Sequence, residues 1–291
     1  MTPLATVLVP THTHADTLRY SVPTALRQSV RDIEVFIVGD GVGDDTRQIA
    51  AELVASDPRV RFFDFPKGEN RGERHRHEVL AEARGEIVCY LFDDDLWLPN
   101  HVEVMQQMLS DADFAFAPCV VVEASGALRA CTVDLSSWIE RYLFTHPRSS
   151  TCSVPTAAAH TMALYRRLPW GWRPAPRGVA PDKYMWAQCL SVTGCRTRSA
   201  STATSLVFPD PPRRGWPTSA RLEELAAWTR RLHEAASLAA LEHDLRALQA
   251  SPDFTRTTVF AWLYAGALHV PGAVAALRMA RRLLQRRPDR A

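Results

Sequence analysis

The chain has 291 residues, of which 46% are hydrophobic and 23% are charged, so it can bury one large core or a core with an appendage. The 34 basic and 32 acidic side chains nearly balance, which argues against a nucleic-acid partner, since such proteins usually cluster a basic excess. Six cysteines occur without a Cys-x-x-Cys pair, and the N-terminal residues lack the pattern of a signal peptide. We therefore expect a cytoplasmic protein with free thiols.

Strand and helix patterns alternate through the first hundred residues. β-branched runs at 5–9 and 34–38 predict two strands, and helix-like spacing at 22–30 lies between them. The alternation continues with a helix at 44–55, a strand at 60–63, a helix at 73–84 and a strand at 87–92. This order predicts an α/β fold with a mostly parallel sheet flanked by helices, in which functional groups gather at the carboxyl ends of the strands.

The pattern changes beyond Pro99. A helix of about ten residues is predicted there, followed by an apolar run at 113–123. Residues 131–217 are irregular and rich in proline, tryptophan and arginine. From Ser219 onward leucines recur at three- and four-residue steps, which is typical of an amphipathic helix. A C-terminal helical appendage is therefore expected.

Three consecutive carboxylates, Asp93, Asp94 and Asp95, follow the predicted strand at 87–92. Adjacent like charges need water or a cation, and hard oxygen ligands suit Mg²⁺ or Mn²⁺. The alternative is a solvated acidic turn that caps the following helix. Asp40 ends a neighbouring predicted strand, and this placement favours the metal site.

Five sequence segments occur together in a characteristic order. They are VPT at 9–11, EVFIVGDG at 34–41, Arg-His at 76–77 in a helix that ends ARGE at 83–86, DDDLWLP at 93–99 and PDKYMW at 181–186. In this order and spacing they resemble the inverting family 2 glycosyltransferases, which have the GT-A fold. The resemblance covers about residues 4–200.

The resemblance implies a binding site for a nucleotide diphosphate sugar. Pro10, Thr11 and Asp40 would bind the nucleotide, with Asp40 accepting a hydrogen bond from the ring imide of a uracil-type base. Asp93 would lie near the ribose, and Arg76 would neutralise charge on the departing diphosphate.

The resemblance also implies a divalent metal, Mg²⁺ or Mn²⁺, that bridges the diphosphate. The family often has an aspartate where this chain has Phe92. Ligation would therefore depend mainly on Asp94, with Asp95 either a second ligand or an anion at a helix N-terminus.

On the acceptor side, Asp182 is the candidate general base for the acceptor hydroxyl. The alternative is a first-turn or capping acid of a helix at 183–190. The family usually has a Glu-Asp pair here, and Pro181 replaces the first acid. His160 lies where the family's acceptor-side strand reaches the metal, or it is a core histidine, and Trp186 either stacks on a sugar or fills the core.

Residues 259–277 contain no acidic or basic side chain except His269. Pro271 and Gly272 divide this stretch, which predicts a helical hairpin packed against the domain or a second subunit. The alternative is a basic tail bound peripherally at the inner membrane surface.

These expectations divide the chain into a nucleotide-sugar-binding half at 1–115, an acceptor-binding half at 116–217 and a helical region at 218–291. The predicted function is metal-dependent, inverting sugar transfer from a UDP- or dTDP-type donor to a hydroxyl acceptor, either a natural product or a cell-surface glycan. A nucleotidylyltransferase and a non-catalytic relative are the alternatives. The first would normally have a glycine-rich loop after the first strand, and residues 10–13 contain no glycine. The second would have lost the carboxylates.

Overall fold

A computed structural model of the chain describes residues 2–249, 263–270 and 273–275. Two sheets form its framework, and the larger has seven strands in the spatial order β10-β6-β9-β4-β1-β2-β3. These strands are β1 (Ala5–Thr11), β2 (Ile33–Asp40), β3 (Val60–Phe65), β4 (Ile87–Tyr90), β6 (Phe114–Phe116), β9 (Ala158–Thr161) and β10 (Thr197–Ser199). All pair in parallel except β9, which is antiparallel to both of its neighbours.

The second sheet has four strands in the order β5-β11-β7-β8. They are β5 (Leu96–Trp97), β7 (Cys119–Val122), β8 (Leu128–Cys131) and β11 (Ser205–Val207). The apolar run predicted at 113–123 is therefore two strands, in two different sheets. Pro118 separates them, and a proline has no N–H to continue a strand ladder.

Helices lie between the strands and beyond them. They are α1 (Leu18–Leu26), α2 (Asp44–Ser56), α3 (Glu73–Leu80), α4 (His101–Leu109), α5 (Trp138–Thr145), α6 (Met162–Tyr165), α7 (Pro181–Ser191), α8 (Thr218–His233) and α9 (Ala235–Gln249). The amphipathic helix predicted from Ser219 is thus two helices, which meet at Glu234 in an extended backbone conformation.

The central strands β1 and β2 are almost completely buried, because side chains from helices cover both faces of the sheet. Val7 and Val35 belong to the core on one face, whereas Leu8 and Phe36 belong to the core on the other. This alternation follows the two-residue period of a strand. The predicted order of strands and helices in the first hundred residues is confirmed, with small shifts at element ends.

The C-terminal region packs in two places. Leucines of α8 and α9, including Leu225 and Leu241, share a core with Leu96 and Val120 of the second sheet. Residues 263–270 pack against α5. Most of the hairpin predicted at 259–277 lies outside the described residues. In the part of the chain that the structure describes, every helix is too short or too polar to span a membrane.

Candidate active site

The carboxyl ends of β1, β2 and β4 lie side by side, because β1 runs between the other two strands. Thr11 ends β1 opposite Gly39, next to Asp40 at the end of β2. The acidic residues 93–95 come shortly after β4, which ends at Tyr90. Pro10, half-buried in β1, precedes Thr11. The fold therefore brings the predicted nucleotide-binding and acidic segments to one edge of the central sheet.

The Asp40 carboxylate is held by the segment that follows β3. The Gly68 amide donates to its Oδ1 at 2.6 Å, and Lys67 Nζ donates to its Oδ2 at 2.7 Å. Burial opposes the charged form, but the bonds from Lys67 and Gly68 outweigh it and hold the pKa of Asp40 below its usual range. A Cβ at Gly72 would lie 2.7 Å from Asp40 Cγ, so the chain can wrap this closely only with glycine there.

Several buried polar atoms near Asp40 have no hydrogen-bond partner among the described residues. They are Thr11 Oγ1, Glu73 Oε1, His75 Nδ1 and Arg76 Nε. Buried polar atoms in native proteins are normally satisfied, so these four atoms, one at the end of β1 and three on α3, call for a ligand or water as a partner.

The Arg76 side chain is buried on the ring of Trp172, with its guanidinium carbon 4.9 Å from the ring centroid. Its Nη2 donates to the Arg71 carbonyl at 2.9 Å. Burial lowers the pKa of this arginine. An incompletely paired, buried guanidinium favours an anionic partner.

Each of the first two acidic residues has one cationic partner. His14 Nδ1 lies 3.5 Å from Asp93 Oδ1, and the hydrogen bond to Asp93 raises the pKa of His14 to about 9. Arg221 of α8 donates to Asp94 Oδ2 at 2.7 Å. Burial, together with the charge of Asp93, raises the pKa of Asp94 to about 6. The two carboxylates therefore lie close together in a buried place, and each is paired with one cationic side chain.

The third acidic residue, Asp95, differs from its neighbours because both of its oxygens bond within the protein. Thr156 donates its hydroxyl to Oδ2, and the Phe208 amide donates to Oδ1 at 3.0 Å. Burial raises the pKa of Asp95 well above its usual value. These bonds join the segment after β4 to the segments before β9 and after β11, and Asp95 is the most deeply buried of the three carboxylates.

Asp182 lies in the first turn of α7, directly after Pro181. The Ser153 hydroxyl donates to its Oδ2 at 2.6 Å. The next residue, Lys183, is buried, and its Nζ donates to the carbonyl oxygens of Leu143 and Phe144. Asp182 is half-buried, so part of this residue is exposed to solvent.

The structure places His160 and Trp186 in the core, each with 0% exposure. His160 Nε2 accepts from the Tyr90 hydroxyl at 2.6 Å, and its Nδ1 donates to the Thr161 carbonyl at 3.0 Å. Both ring nitrogens are thus used, which leaves none for a metal or an acceptor. Trp186 donates to the Ser153 carbonyl at 2.7 Å and so supports the residue that bonds Asp182.

Sequence reasoning missed three residues that shape the site. Lys67 follows β3, which neighbours β2, so its proximity to Asp40 follows from the strand order alone. Ser153 and Arg221 come from the irregular region and from α8, and no local pattern marks either of them.

The model of the family described as "Glycosyl transferase family 2" matches residues 6–169. Chondroitin synthase of Pasteurella multocida is 31% identical over 114 residues, which cover 39% of this chain and 12% of that protein. GalNAc(5)-diNAcBac-PP-undecaprenol beta-1,3-glucosyltransferase of Campylobacter jejuni is 26% identical over 123 residues, which cover 41% of this chain and 39% of that protein. The chain thus matches well under half the length of either relative.

Two solved structures share the architecture. S. aureus TarS 1–349 in complex with UDP-GlcNAc has a TM-score of 0.58 and 18% identity, covering 94% of this chain and 83% of that one. Mannosyltransferase PcManGT from Pyrobaculum calidifontis, in complex with GDP-Man and Mn²⁺, has a TM-score of 0.52 and 18% identity, covering 97% and 81%. These likenesses confirm the predicted GT-A fold. Because the family model matches more than half of its residues, the chain belongs to glycosyl transferase family 2.

Proposed function

We propose that the chain transfers a sugar from a UDP- or dTDP-type nucleotide diphosphate sugar to a hydroxyl acceptor, with inversion at the anomeric carbon. The observation that carries this proposal is the placement of Asp40 and of the Asp93–Asp94 pair at the same edge of the central sheet. Asp40 ends β2 and the pair follows β4, on either side of the end of β1. Family membership and structural neighbours that hold UDP-GlcNAc and GDP-Man support a nucleotide-sugar donor.

The donor's base would bind at Asp40 and Thr11, with Pro10 alongside. The low pKa keeps Asp40 charged, and a carboxylate has about four acceptor positions, so the bonds from Lys67 and Gly68 leave room for a base imide N–H. The orphaned Thr11 hydroxyl supplies a further polar atom. Arg76 would attract the diphosphate, since its buried charge has incomplete hydrogen bonding.

The donor set at the end of β4 fits a divalent cation. Asp93 and Asp94 offer hard carboxylate oxygens, and their mutual repulsion in a buried place is relieved by positive charge. Within the described residues, one oxygen of each carboxylate makes no protein hydrogen bond. We therefore propose Asp94 as the principal metal ligand and Asp93 as a second ligand. Asp95 keeps its hydrogen bonds from Thr156 and Phe208 and is not proposed as a ligand. A bound Mg²⁺ or Mn²⁺ would neutralise charge on the departing diphosphate.

On the acceptor side, Asp182 would take the proton of the attacking hydroxyl. The hydrogen bond from Ser153 fixes one carboxylate oxygen and leaves the other to accept. The names of the two curated relatives, a chondroitin synthase and a glucosyltransferase acting on an undecaprenol-linked substrate, favour a glycan over a small natural product as the acceptor.

Calorimetric titration of UDP, dTDP, CDP and GDP, each with and without MnCl₂, tests the donor half of the proposal. We expect UDP and dTDP to bind at least roughly tenfold more tightly than CDP, because cytosine presents no imide N–H to Asp40. Binding should weaken strongly without Mn²⁺. Equal affinities for CDP and UDP would remove Asp40 from base recognition, and equal affinity without the metal would contradict the proposed metal site.

Asp94→Asn is the matched variant, because it keeps the shape of the side chain and removes the charge. It should weaken nucleotide binding far more in the presence of Mn²⁺ than in its absence. Asp45→Asn, at an exposed position in α2, is the control and should bind like the parent protein.

A further inference from the structure

Three cysteine side chains from separate parts of the chain converge beside the second sheet. Cys119 on β7 is directly opposite Cys131 on β8, and Cys152 comes from the loop before β9. Their sulfur atoms all lie within 4.8 Å of one another, and the Cys119 and Cys152 sulfurs are 3.7 Å apart. The nucleotide and acceptor sites described above use none of them.

From this convergence we propose that Cys119, Cys131 and Cys152 form a binding site for a soft metal ion, with Zn²⁺ as its principal occupant. The inference is independent of the proposed sugar transfer.

The spacing of the sulfurs matches a tetrahedral thiolate site. With Zn–S bonds of about 2.3 Å, two sulfurs on one tetrahedral Zn²⁺ lie about 3.8 Å apart. The Cys119–Cys152 separation of 3.7 Å already has this value, and the other pairs need only a small contraction. A disulfide would instead require two sulfurs to approach to about 2.05 Å and would leave the third thiol without a role.

The charge around the cluster also favours a cation bound by thiolates. Zn²⁺ with three thiolates carries one net negative charge. The guanidinium of Arg129, which also pairs with Glu123 at 3.1 Å, lies 4.0 Å from the Cys131 sulfur and offsets part of this charge. Binding would release the protons of the ligating thiols to solvent.

The burial of the three cysteines indicates where a fourth ligand could reach the metal ion. Cys119 is buried, whereas Cys131 and Cys152 are half-buried, so the cluster lies close to the molecular surface. A water molecule or a small thiol can take the fourth position there.

A metal at this place would stiffen the acceptor side of the molecule. Cys152 precedes Ser153, whose hydroxyl bonds Asp182 and whose carbonyl accepts from Trp186. Zn²⁺ would tie this loop to β7 and β8. The ion would then have a structural role and would not touch the reacting atoms.

The full chain, reduced and freed of metal, provides the test. Titration with Co²⁺ should produce sulfur-to-metal charge-transfer absorption, which oxygen ligands such as Asp93 and Asp94 cannot give. One equivalent of Zn²⁺ should abolish that absorption, remain bound through dialysis by elemental analysis, and raise the thermal midpoint by roughly 5 °C. No charge-transfer band and no retained zinc would overturn the proposal.

Cys131→Ser and Cys152→Ser, both at half-buried positions, should each lose the Co²⁺ absorption and the zinc-dependent stabilisation. Cys195→Ser is the matched control, since Cys195 is also half-buried but lies outside the cluster, and it should bind like the parent. Equal zinc retention by all three variants would contradict the assignment. So would a parent protein that forms a Cys119–Cys152 disulfide in air and never takes up metal.

Discussion

Asp182 lies at the start of α7 with one carboxylate oxygen bonded to Ser153, and we propose it as the general base. A general base acts on the acceptor only as the new bond forms. Asp182→Asn should therefore lower kcat by at least roughly 100-fold and leave the Kd of the nucleotide nearly unchanged. Initial rates on the acceptor and nucleotide calorimetry measure the two quantities.

Ser153→Ala serves as the companion variant to Asp182→Asn. It removes the hydroxyl that orients the carboxylate and keeps the carboxylate itself, so its loss of kcat should be smaller. If the Asn variant turns over within a few-fold of the parent, Asp182 is only a first-turn acid of α7.

Arg221 would compete with the divalent cation that we propose at Asp94, because the guanidinium lies 2.7 Å from Asp94 Oδ2. Arg221→Gln removes a positive charge next to the proposed metal ligand, so Mn²⁺ should bind roughly tenfold more tightly, which corresponds to ~1.4 kcal/mol. Titration of free Mn²⁺ by electron paramagnetic resonance measures this change.

Arg230→Gln is the control for Arg221→Gln, because Arg230 is exposed on the same helix. A fall in Mn²⁺ affinity on Arg221→Gln would mean that the arginine organises the carboxylates for the metal. The competition argument would then be wrong.

The buried histidine His160 makes stability depend on pH. Burial lowers its pKa from 6.5 to about 4, so the unfolded chain binds a proton between these values while the native chain does not. The free energy of unfolding therefore keeps its full value above pH 6.5 and decreases as the pH falls toward 4. The decrease due to His160 is at most about 3 kcal/mol. In urea unfolding at several pH values, His160→Gln should show a shallower decline than the parent. The exposed His243→Gln should decline as steeply as the parent.

At the scale of elements, helix α8 adds Arg221 to the candidate active site, although this helix lies beyond the matched family region of 6–169. Leu225, 1% exposed on this helix, packs into the core shared with the second sheet. Leu225→Ala should lower the free energy of unfolding by about 2–5 kcal/mol, since it leaves a cavity in that core. Chemical denaturation measures this. Glu223→Ala, at an exposed position on α8, should change it by less than about 0.5 kcal/mol.

The elements also show what sequence patterns can and cannot predict. Asp40 and residues 93–95 were predicted at one edge because apolar runs locate strand ends, and parallel strands end together. The sequence predicts a single apolar run at 113–123, whereas the structure has two strands there, β6 and β7, in different sheets. Periodicity does not indicate which sheet a strand joins. Arg221 contacts Asp94 across 127 residues, and nothing local to α8 indicates that partner.

At the scale of the whole molecule, the described part of the C-terminal tail is attached to α5. Tyr264, Ala265 and Leu268 share a small core with Ile139 and Leu143. Packing against the domain was one of the predicted roles for this region, and these contacts agree with it as far as the described residues extend. Because the core is small and lies beyond the two sheets, we expect it to open locally without unfolding the rest of the chain.

The two leucines of this tail segment allow a matched test of that attachment. Leu268 is 3% exposed in the core with α5, whereas Leu263 is 57% exposed. Leu268→Asp would place a charge among apolar side chains, so the segment should detach and uncover Ile139 and Leu143. The variant should then self-associate in size-exclusion chromatography with light scattering and bind a hydrophobic dye, and added salt should not reverse the association. Leu263→Asp should behave like the parent. If Leu268→Asp also stays unchanged in size and dye binding, the contact with α5 does not hold the tail in solution.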